Sequence, residues 1–271
     1  MSGVVRGAPA LAVVGAGAMG EALLAGWIAS GWKASEIVIV DAHGPRFEEL
    51  EARHGVRGVA LAEASSAATI VLAVKPHQVP GVLAAMTPTL QAGSAVVCIA
   101  AGVTLKQLAD GLPERQGIIR VMPNTPSLVG EGMAGVVPGE HATTGQRDVV
   151  VGLFEAVGKA MVVGESSLDA LTALSGSGPA YFFYIAEAMI EAGVHQGLTR
   201  PQATELVNQT ARGAGVMLEA SDDSATVLRE NVTSPAGTTA AALRTMDDHG
   251  VRAAMLAAVD ACVTRSREMA G

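Results

Sequence analysis

The sequence predicts an α/β protein in two domains, a doubly wound parallel sheet followed by an all-helical domain. Short unbroken apolar runs recur at residues 11–14, 37–40, 70–74 and 95–99 with helix-like segments between them. Continuous apolarity of this kind marks strands buried on both faces, as in a parallel sheet. The run Gly15-Ala16-Gly17-Ala18-Met19-Gly20 follows the first of them directly, as a glycine turn between a strand and a helix would. From about Ser166 strand-like runs cease and alanine-rich helical patterns take over. The division is therefore expected there, with residues 1–165 in the sheet domain and 166–271 in the helical one.

Taken in order, the apolar stretch after Arg6 looks like a short signal-peptide core, but it resolves better as strand 11–14 running into the glycine turn. No apolar stretch is long enough to span a bilayer. After the run at 95–99, Thr104 with Gln107 forms a capping-box pattern and Gly111 sits where that helix would stop. A strand at 118–122 leads into Pro123-Asn124-Thr125-Pro126, and two more strand-like runs follow at 132–137 and 160–163. In the second half, helices are expected from Pro179, from Pro201 with Thr199 and Gln202 as its cap, over 238–249 with Gly250 as a stop, and over 251–269. These helices are apolar on more than one face, which asks for a covering surface and predicts a homo-oligomer built through this half.

Composition removes several classes of function. The formal net charge is -8, aromatics are scarce and no stretch gathers lysines and arginines, so a nucleic-acid partner would lack its electrostatic footprint. Cys98 and Cys262 lie in apolar contexts without paired spacing, and read as small buried hydrophobes in a reducing cytoplasm. No cluster has metal-ligand spacing, and no Gly-x-Ser-x-Gly elbow is present. No metal and no covalent intermediate are expected.

The motif at 15–20 is a G-x-G-x-x-G in the context that makes it informative, after a strand and opening a helix. In a Rossmann-type site Gly15 permits the tight turn, Gly17 lets a pyrophosphate approach the backbone and Gly20 lets helix and strand pack closely. Asp41 ends the next strand, where a carboxylate accepts from ribose hydroxyls and repels a 2′-phosphate. His43 and Arg46 follow a few residues on and could reach a phosphate, so NADH and NADPH both stay open. Val74-Lys75-Pro76-His77 and Ala100-Ala101-Gly102 follow two further strands, at the carboxyl edge where open sheets bind ligands. Lys75 is either a site residue or a solvated loop lysine.

Two motifs belong to the helical half. Ser175-Gly176-Ser177-Gly178-Pro179-Ala180-Tyr181 is a glycine–serine turn into a helix, able to present backbone donors and the Ser177 hydroxyl. Asn231-Val232-Thr233-Ser234-Pro235-Ala236-Gly237-Thr238-Thr239 gathers hydroxyls and amide donors at another helix start. Such a cluster can hold a carboxylate without lysine or arginine. Ordinary N-capping would need only one of those hydroxyls.

The nucleotide motif, residues 74–77, Met122-Pro123-Asn124-Thr125-Pro126, and the motifs at 175–181 and 231–239 stand in the order and spacing of pyrroline-5-carboxylate reductases. The chain resembles that family over nearly its whole length, and the last two motifs are highly specific to it. The resemblance implies a Rossmann domain with a helical dimerisation domain, dimers that assemble into decamers, and a site completed by the second half of another subunit. It places Val14, Gly15, Ala16, Gly17, Ala18, Met19, Ala73, Val74, Lys75, Pro76, Ile99, Ala100, Ala101 and Asn231 at the cofactor, where Gly20, Asp41 and Asn124 are further candidates. Ser177, Ser234, Gly237, Thr238 and Thr239 fall to the substrate. The sequence departs from the family's pattern in reading Val59-Ala60-Leu61 where relatives often carry an asparagine toward the adenosine, and Ser234-Pro235-Ala236-Gly237 where Ser-Pro-Gly-Gly is usual.

The chemistry implied is reduction of 1-pyrroline-5-carboxylate to L-proline with NADPH or NADH. A protonated imine is already electrophilic, so the protein chiefly supplies orientation and a dry pocket. For a neutral imine Thr239 is the candidate to relay a proton, with Lys75 as a second candidate catalytic group. A hydroxyacid dehydrogenase on the same plan would need a lysine or histidine in the helical half; no lysine follows Lys159, and His195 and His249 sit beside glycines near helix ends. A dinucleotide-binding regulator without catalysis is the alternative of another class.

Overall fold

A computed structural model describes residues 9–41 and 44–270; His43 lies outside them. Eight strands form one sheet: β1 (Leu11–Val14), β2 (Ile37–Val40), β3 (Arg57–Gly58), β4 (Thr69–Leu72), β5 (Ala95–Cys98), β6 (Gly117–Met122), β7 (Gly132–Pro138) and β8 (Gly158–Val162). Their spatial order is β3-β2-β1-β4-β5-β6-β7-β8. The chain thus winds outward from β1 in both directions, and the switch point lies between β1 and β4.

Each central strand buries both faces. In β1, Leu11 and Val13 enter one core with Leu23, Trp27, Ile39 and Phe154, while Ala12 and Val14 enter the other with Val38, Ile70, Leu83 and Met86. This is the physical origin of the unbroken apolar runs. All neighbouring strands are parallel except β6 and β7, which are antiparallel. Their connection from Met122 to Gly132 holds only a short 3-10 segment, Thr125–Val129, too little for the crossover that parallel neighbours require. Trp27 fastens the first helix, Ala18–Ala29, to the helix Thr144–Glu155 by donating its Nε1–H to the Leu153 carbonyl at 2.7 Å.

The chain divides into two compact units, one reaching Ser177 and regaining the chain from Cys262, the other Gly178–Ala261. The first therefore extends past the expected division at 166. Within residues 165–177 Leu168 and Ala173 are buried, Leu171 lies against Gly135 of β7, and Glu165 accepts from Leu105 N–H at 2.8 Å and pairs with Arg120 at 3.0 Å. The chain's last residues return to the same unit, where Ser266 donates to Asp169 at 2.7 Å.

In the second unit, helix Gly178–His195 packs on helix Arg200–Ala220. Gly193 makes the close approach possible, because a Cβ there would stand 3.1 Å from that of Ala203. Helices Ala225–Asn231 and Thr238–Asp248 follow, and Val251–Ala270 begins here. Among the described residues no helix is long and apolar enough to cross a membrane.

Candidate active site

The carboxyl edge of the sheet brings the four predicted nucleotide segments together. Gly15 donates to Val40 O at 2.8 Å and Ala73 to Val14 O at 2.8 Å, while Ile99 donates to Leu72 O at 3.1 Å. The loops after β1, β2, β4 and β5 thereby form one rim at the topological switch point, where open α/β sheets bind ligands. Gly15 has φ +92°, and a Cβ on it would come within 2.9 Å of the Ala73 and Val74 backbone. A Cβ on Gly20 would lie 2.4 Å from Gly15 O.

Gly17 is different. A Cβ on it would meet nothing within 4 Å, so the loop is open at the glycine expected to admit a pyrophosphate. Gly17 is also the N-cap of helix Ala18–Ala29, and no side chain caps that helix. First-turn amides and the positive end of the helix are left for an anion. A dinucleotide pyrophosphate fits these residues.

At the adenosine end, Asp41 Oδ2 accepts from the Ala16 amide at 2.9 Å. Arg46 Nε donates to Ala16 O at 3.1 Å, and its two other nitrogens donate to Glu49, at 2.7 Å, and to Glu21. Arg53 bonds the same two glutamates, and His54 approaches Glu21 at 3.2 Å. Burial pushes the Glu21 carboxyl up, but hydrogen bonds from His54 and Arg46 and the nearby guanidinium charges outweigh it and hold the group below its ordinary value. Its own hydrogen bonds to the Glu49 and Glu21 carboxylates raise Arg46 in turn. Beside this cluster lies a cavity of about 540 Å³ with apolar walls at Phe47, Val59 and Leu61 and carboxylates at Asp41 and Glu51.

Lys75 is exposed, its backbone amide donating to Gln78 Oε1 at 3.0 Å. Asn124 is buried and its amide is engaged, donating to Ser175 O at 3.0 Å and accepting from Met133 N–H at 2.8 Å. It ties the turn after β6 to the segment Thr172–Gly176, a π-helical stretch closed by Ser177 N–H on Thr172 O at 2.8 Å. Ser177 Oγ lies 3.3 Å from Cys262 Sγ, a neighbour that sequence reasoning did not supply.

The 231–239 loop belongs to the second unit. Ser234-Pro235-Ala236-Gly237 is a turn closed by Gly237 N–H on Ser234 O at 3.0 Å, with Ala236 at φ +58°. Proline second and a positive φ third is the pattern of a type II turn. Gly237 is then the N-cap of helix Thr238–Asp248, with no side-chain cap. The first-turn amides of that helix thus receive no bond from an N-cap side chain, and the hydroxyls of Ser234, Thr238 and Thr239 lie within three residues of them in sequence. Asn231 ends the preceding helix and is exposed.

A family model described as pyrroline-5-carboxylate reductase dimerisation matches residues 165–269, and one described as NADP oxidoreductase coenzyme F420-dependent matches 10–102. The pyrroline-5-carboxylate reductase of Corynebacterium melassecola is 39% identical, over 96% of this chain and 98% of that one. The chain belongs to the pyrroline-5-carboxylate reductase family. Among solved structures, a pyrroline-5-carboxylate reductase from Coxiella burnetii superposes with a TM-score of 0.93 at 32% identity, covering 97% of this chain and 99% of that one. The pyrroline carboxylate reductase of Plasmodium falciparum, with NADP bound, gives 0.86 at 29% identity over 96% and 98%.

Within a pyrroline-5-carboxylate reductase, the residues sequence reasoning did not find are those whose role depends on distant partners. Glu21 and Glu51 carry no motif, and only the fold brings Glu21 to Arg46 and Glu51 beside Asp41; Glu49, three residues after Arg46 on the same helix, is the exception. Among the described residues no group of three or more His, Cys, Asp or Glu could hold a metal ion. Burial pushes the Cys98 thiol up, which disfavours the nucleophilic thiolate.

Proposed function

We propose that this protein reduces 1-pyrroline-5-carboxylate to L-proline with NADPH or NADH, the last step of proline biosynthesis. The observation that carries the reading is the helix start at Gly237, where a glycine cap leaves three hydroxyls and the first-turn amides available to a carboxylate. The cofactor supplies a hydride to the imine carbon. Gly15, Ala16, Gly17, Ala18, Met19 and Gly20 receive the pyrophosphate, and the loops at 73–76 and 99–101 border the ribose and nicotinamide. Ser234, Gly237, Thr238 and Thr239 hold the substrate carboxylate and so orient the ring, and Ser177 is a further candidate for a substrate contact.

When the imine arrives protonated, no general acid is needed and orientation provides most of the rate. When it arrives neutral, the Thr239 hydroxyl relays the proton to the ring nitrogen. A hydroxyacid substrate would need a stronger acid–base group. His249 Nδ1 is bonded to Thr245 O at 2.9 Å at the end of its helix, and His195 is exposed at the end of another.

The helical half is the dimerisation surface, and we place decamers of such dimers in the cytoplasm. The test is loss of NADH or NADPH absorbance with purified protein and 1-pyrroline-5-carboxylate, beside Thr239→Ala and a control without substrate. Substrate-dependent oxidation establishes the reaction. In Thr239→Ala, a raised KM with kcat kept identifies a carboxylate ligand, whereas a fallen kcat identifies the proton relay. Dinucleotide binding without turnover would return the protein to a regulatory role.

A further inference from the structure

From Cys262 onward the helix Val251–Ala270 belongs to the same compact unit as the sheet. Cys262, Ser266 and Met269 follow one another at steps of about one turn and so share one face. Each meets a different part of that unit. Cys262 Sγ lies 3.3 Å from Ser177 Oγ. Ser266 donates to Asp169 Oδ1 at 2.7 Å, and Arg267 beside it pairs with Asp169 Oδ2 at 3.5 Å. The backbone of Met269 stands against Gly102, where a Cβ would lie 3.2 Å from Met269 O. Gly102 has φ +78°, so conformation and space both call for glycine at this approach.

Gly102 lies in the connection from β5 to the helix Leu105–Asp110, the loop that begins with Ile99, Ala100 and Ala101 at the carboxyl edge of the sheet. Between Cys98 and Leu105 the chain has neither helix nor strand, so its course depends on what holds it from outside. At its start Ile99 N–H donates to Leu72 O at 3.1 Å. At its end Leu105 N–H donates at 2.8 Å to Glu165 Oε1, which Arg120 also holds at 3.0 Å. Between these points it rests on the Met269 backbone.

The same helical face holds the segment 165–177. Asp169 is its anchor in the middle and Ser177 its contact at the end, while Asn124 grips Ser175 O at 3.0 Å from the turn after β6. One face of one helix thus touches both the loop after β5 and the segment that carries Ser177. The Ser266–Asp169 bond, made to a carboxylate, is the strongest of these contacts by its chemistry.

We infer that the face formed by Cys262, Ser266 and Met269 braces the loop Ala100–Gly102 against the nicotinamide end of the dinucleotide, and that Ser266 and Asp169 are positioning residues for hydride transfer. This rests on the proposed reading in which that loop borders the nicotinamide. Both residues act through the backbone they hold. Hydride transfer is sensitive to such bracing, because a displacement of about 1 Å at the reacting atoms costs on the order of a hundredfold in rate.

The experiment compares the tighter-binding of NADH and NADPH with ADP-ribose, or with its 2′-phosphate in the case of NADPH, which keeps the rest of the molecule and lacks the nicotinamide. Direct binding of each to the full chain is measured for the natural protein, for Ser266→Ala and for Ser266→Thr, which keeps the hydroxyl. In Ser266→Ala the expected result is cofactor affinity lowered about fivefold to tenfold, as for loss of a hydrogen bond to a charged group, with ADP-ribose affinity unchanged. Turnover with 1-pyrroline-5-carboxylate falls about tenfold in kcat, and Ser266→Thr restores both. Affinities for cofactor and ADP-ribose that fall together mark a general loss of structure and overturn the assignment, as do an unchanged cofactor affinity and kcat. Should Ser266→Ala not fold, Asp169→Ala cuts the same contact from the other side and must give the same split between cofactor and ADP-ribose. A natural protein that binds cofactor without turning it over sinks the reductase reading, while the binding split still decides whether the brace acts at the nicotinamide.

Discussion

Gly237 has no room for a side chain. A Cβ there would stand 2.2 Å from Ser234 Oγ and 3.1 Å from Ser234 O, so Gly237→Ala must push aside one of the hydroxyls proposed to hold the substrate. The expected outcome is a KM for 1-pyrroline-5-carboxylate raised about tenfold or more, the loss of one good hydrogen bond, with dinucleotide affinity unchanged; a normal KM would remove the loop from the substrate site. Its neighbour Ala236 pays for the opposite defect, a left-handed φ of +58° at an L-residue. Ala236→Gly is expected to stabilise the protein by about 1 kcal/mol, read as a raised urea midpoint at constant slope. The helix start at Thr238 was legible because its signal is local, a proline turn and a glycine directly before the helix. The engagement of Arg46 was not, since from the sequence Arg46 could reach a phosphate, and Glu21 comes to it from another helix.

At the scale of elements, legibility followed the directness of the local signal. Thr104 and Thr199 cap their helices as the T-x-x-Q pattern requires, and the buried runs became β1, β2, β4 and β5. The same pattern at Thr143 and Gln146 caps helix Thr144–Glu155 and was available to be found. Strand β3 was not, because two residues, Arg57 and Gly58, cannot show a periodicity. Nor was the π-helical stretch Thr172–Gly176, whose irregular closure depends on Asn124 from the turn after β6. π-helical turns recur at functional sites, and this one sets the position of Ser177. Asn124→Ala removes partners from a half-buried carbonyl and a half-buried backbone amide at once. The expected cost is about 2–3 kcal/mol of stability, measured by urea unfolding, together with impaired turnover. A variant as stable as the natural protein would show that Asn124 does not hold these segments.

The molecule as a whole is uneven in how it buries its apolar surface. The first unit has a filled core on each face of the sheet. In the second, Ala203 and Val207 are the buried apolar side chains among the described residues, far too little to offset the conformational entropy of its helices. Meanwhile Phe182, Phe183 and Tyr184 are 70%, 68% and 73% exposed. Three consecutive helical residues fan around more than half of the axis, so no single flat partner can cover all three rings. Helices of a second copy that embrace this one can, which makes the fold of the helical half inseparable from association. Unfolding is then expected to be coupled to dissociation, with a melting temperature that rises with protein concentration. Thermal melts over a hundredfold range of concentration check this, and a melting point independent of concentration would mean that the helical half stands alone. Phe182→Glu sharpens the test, because a charge buried in such an interface without a partner costs several kcal/mol. It should lower the mass seen in light scattering and abolish turnover, while NADH still binds the intact first unit.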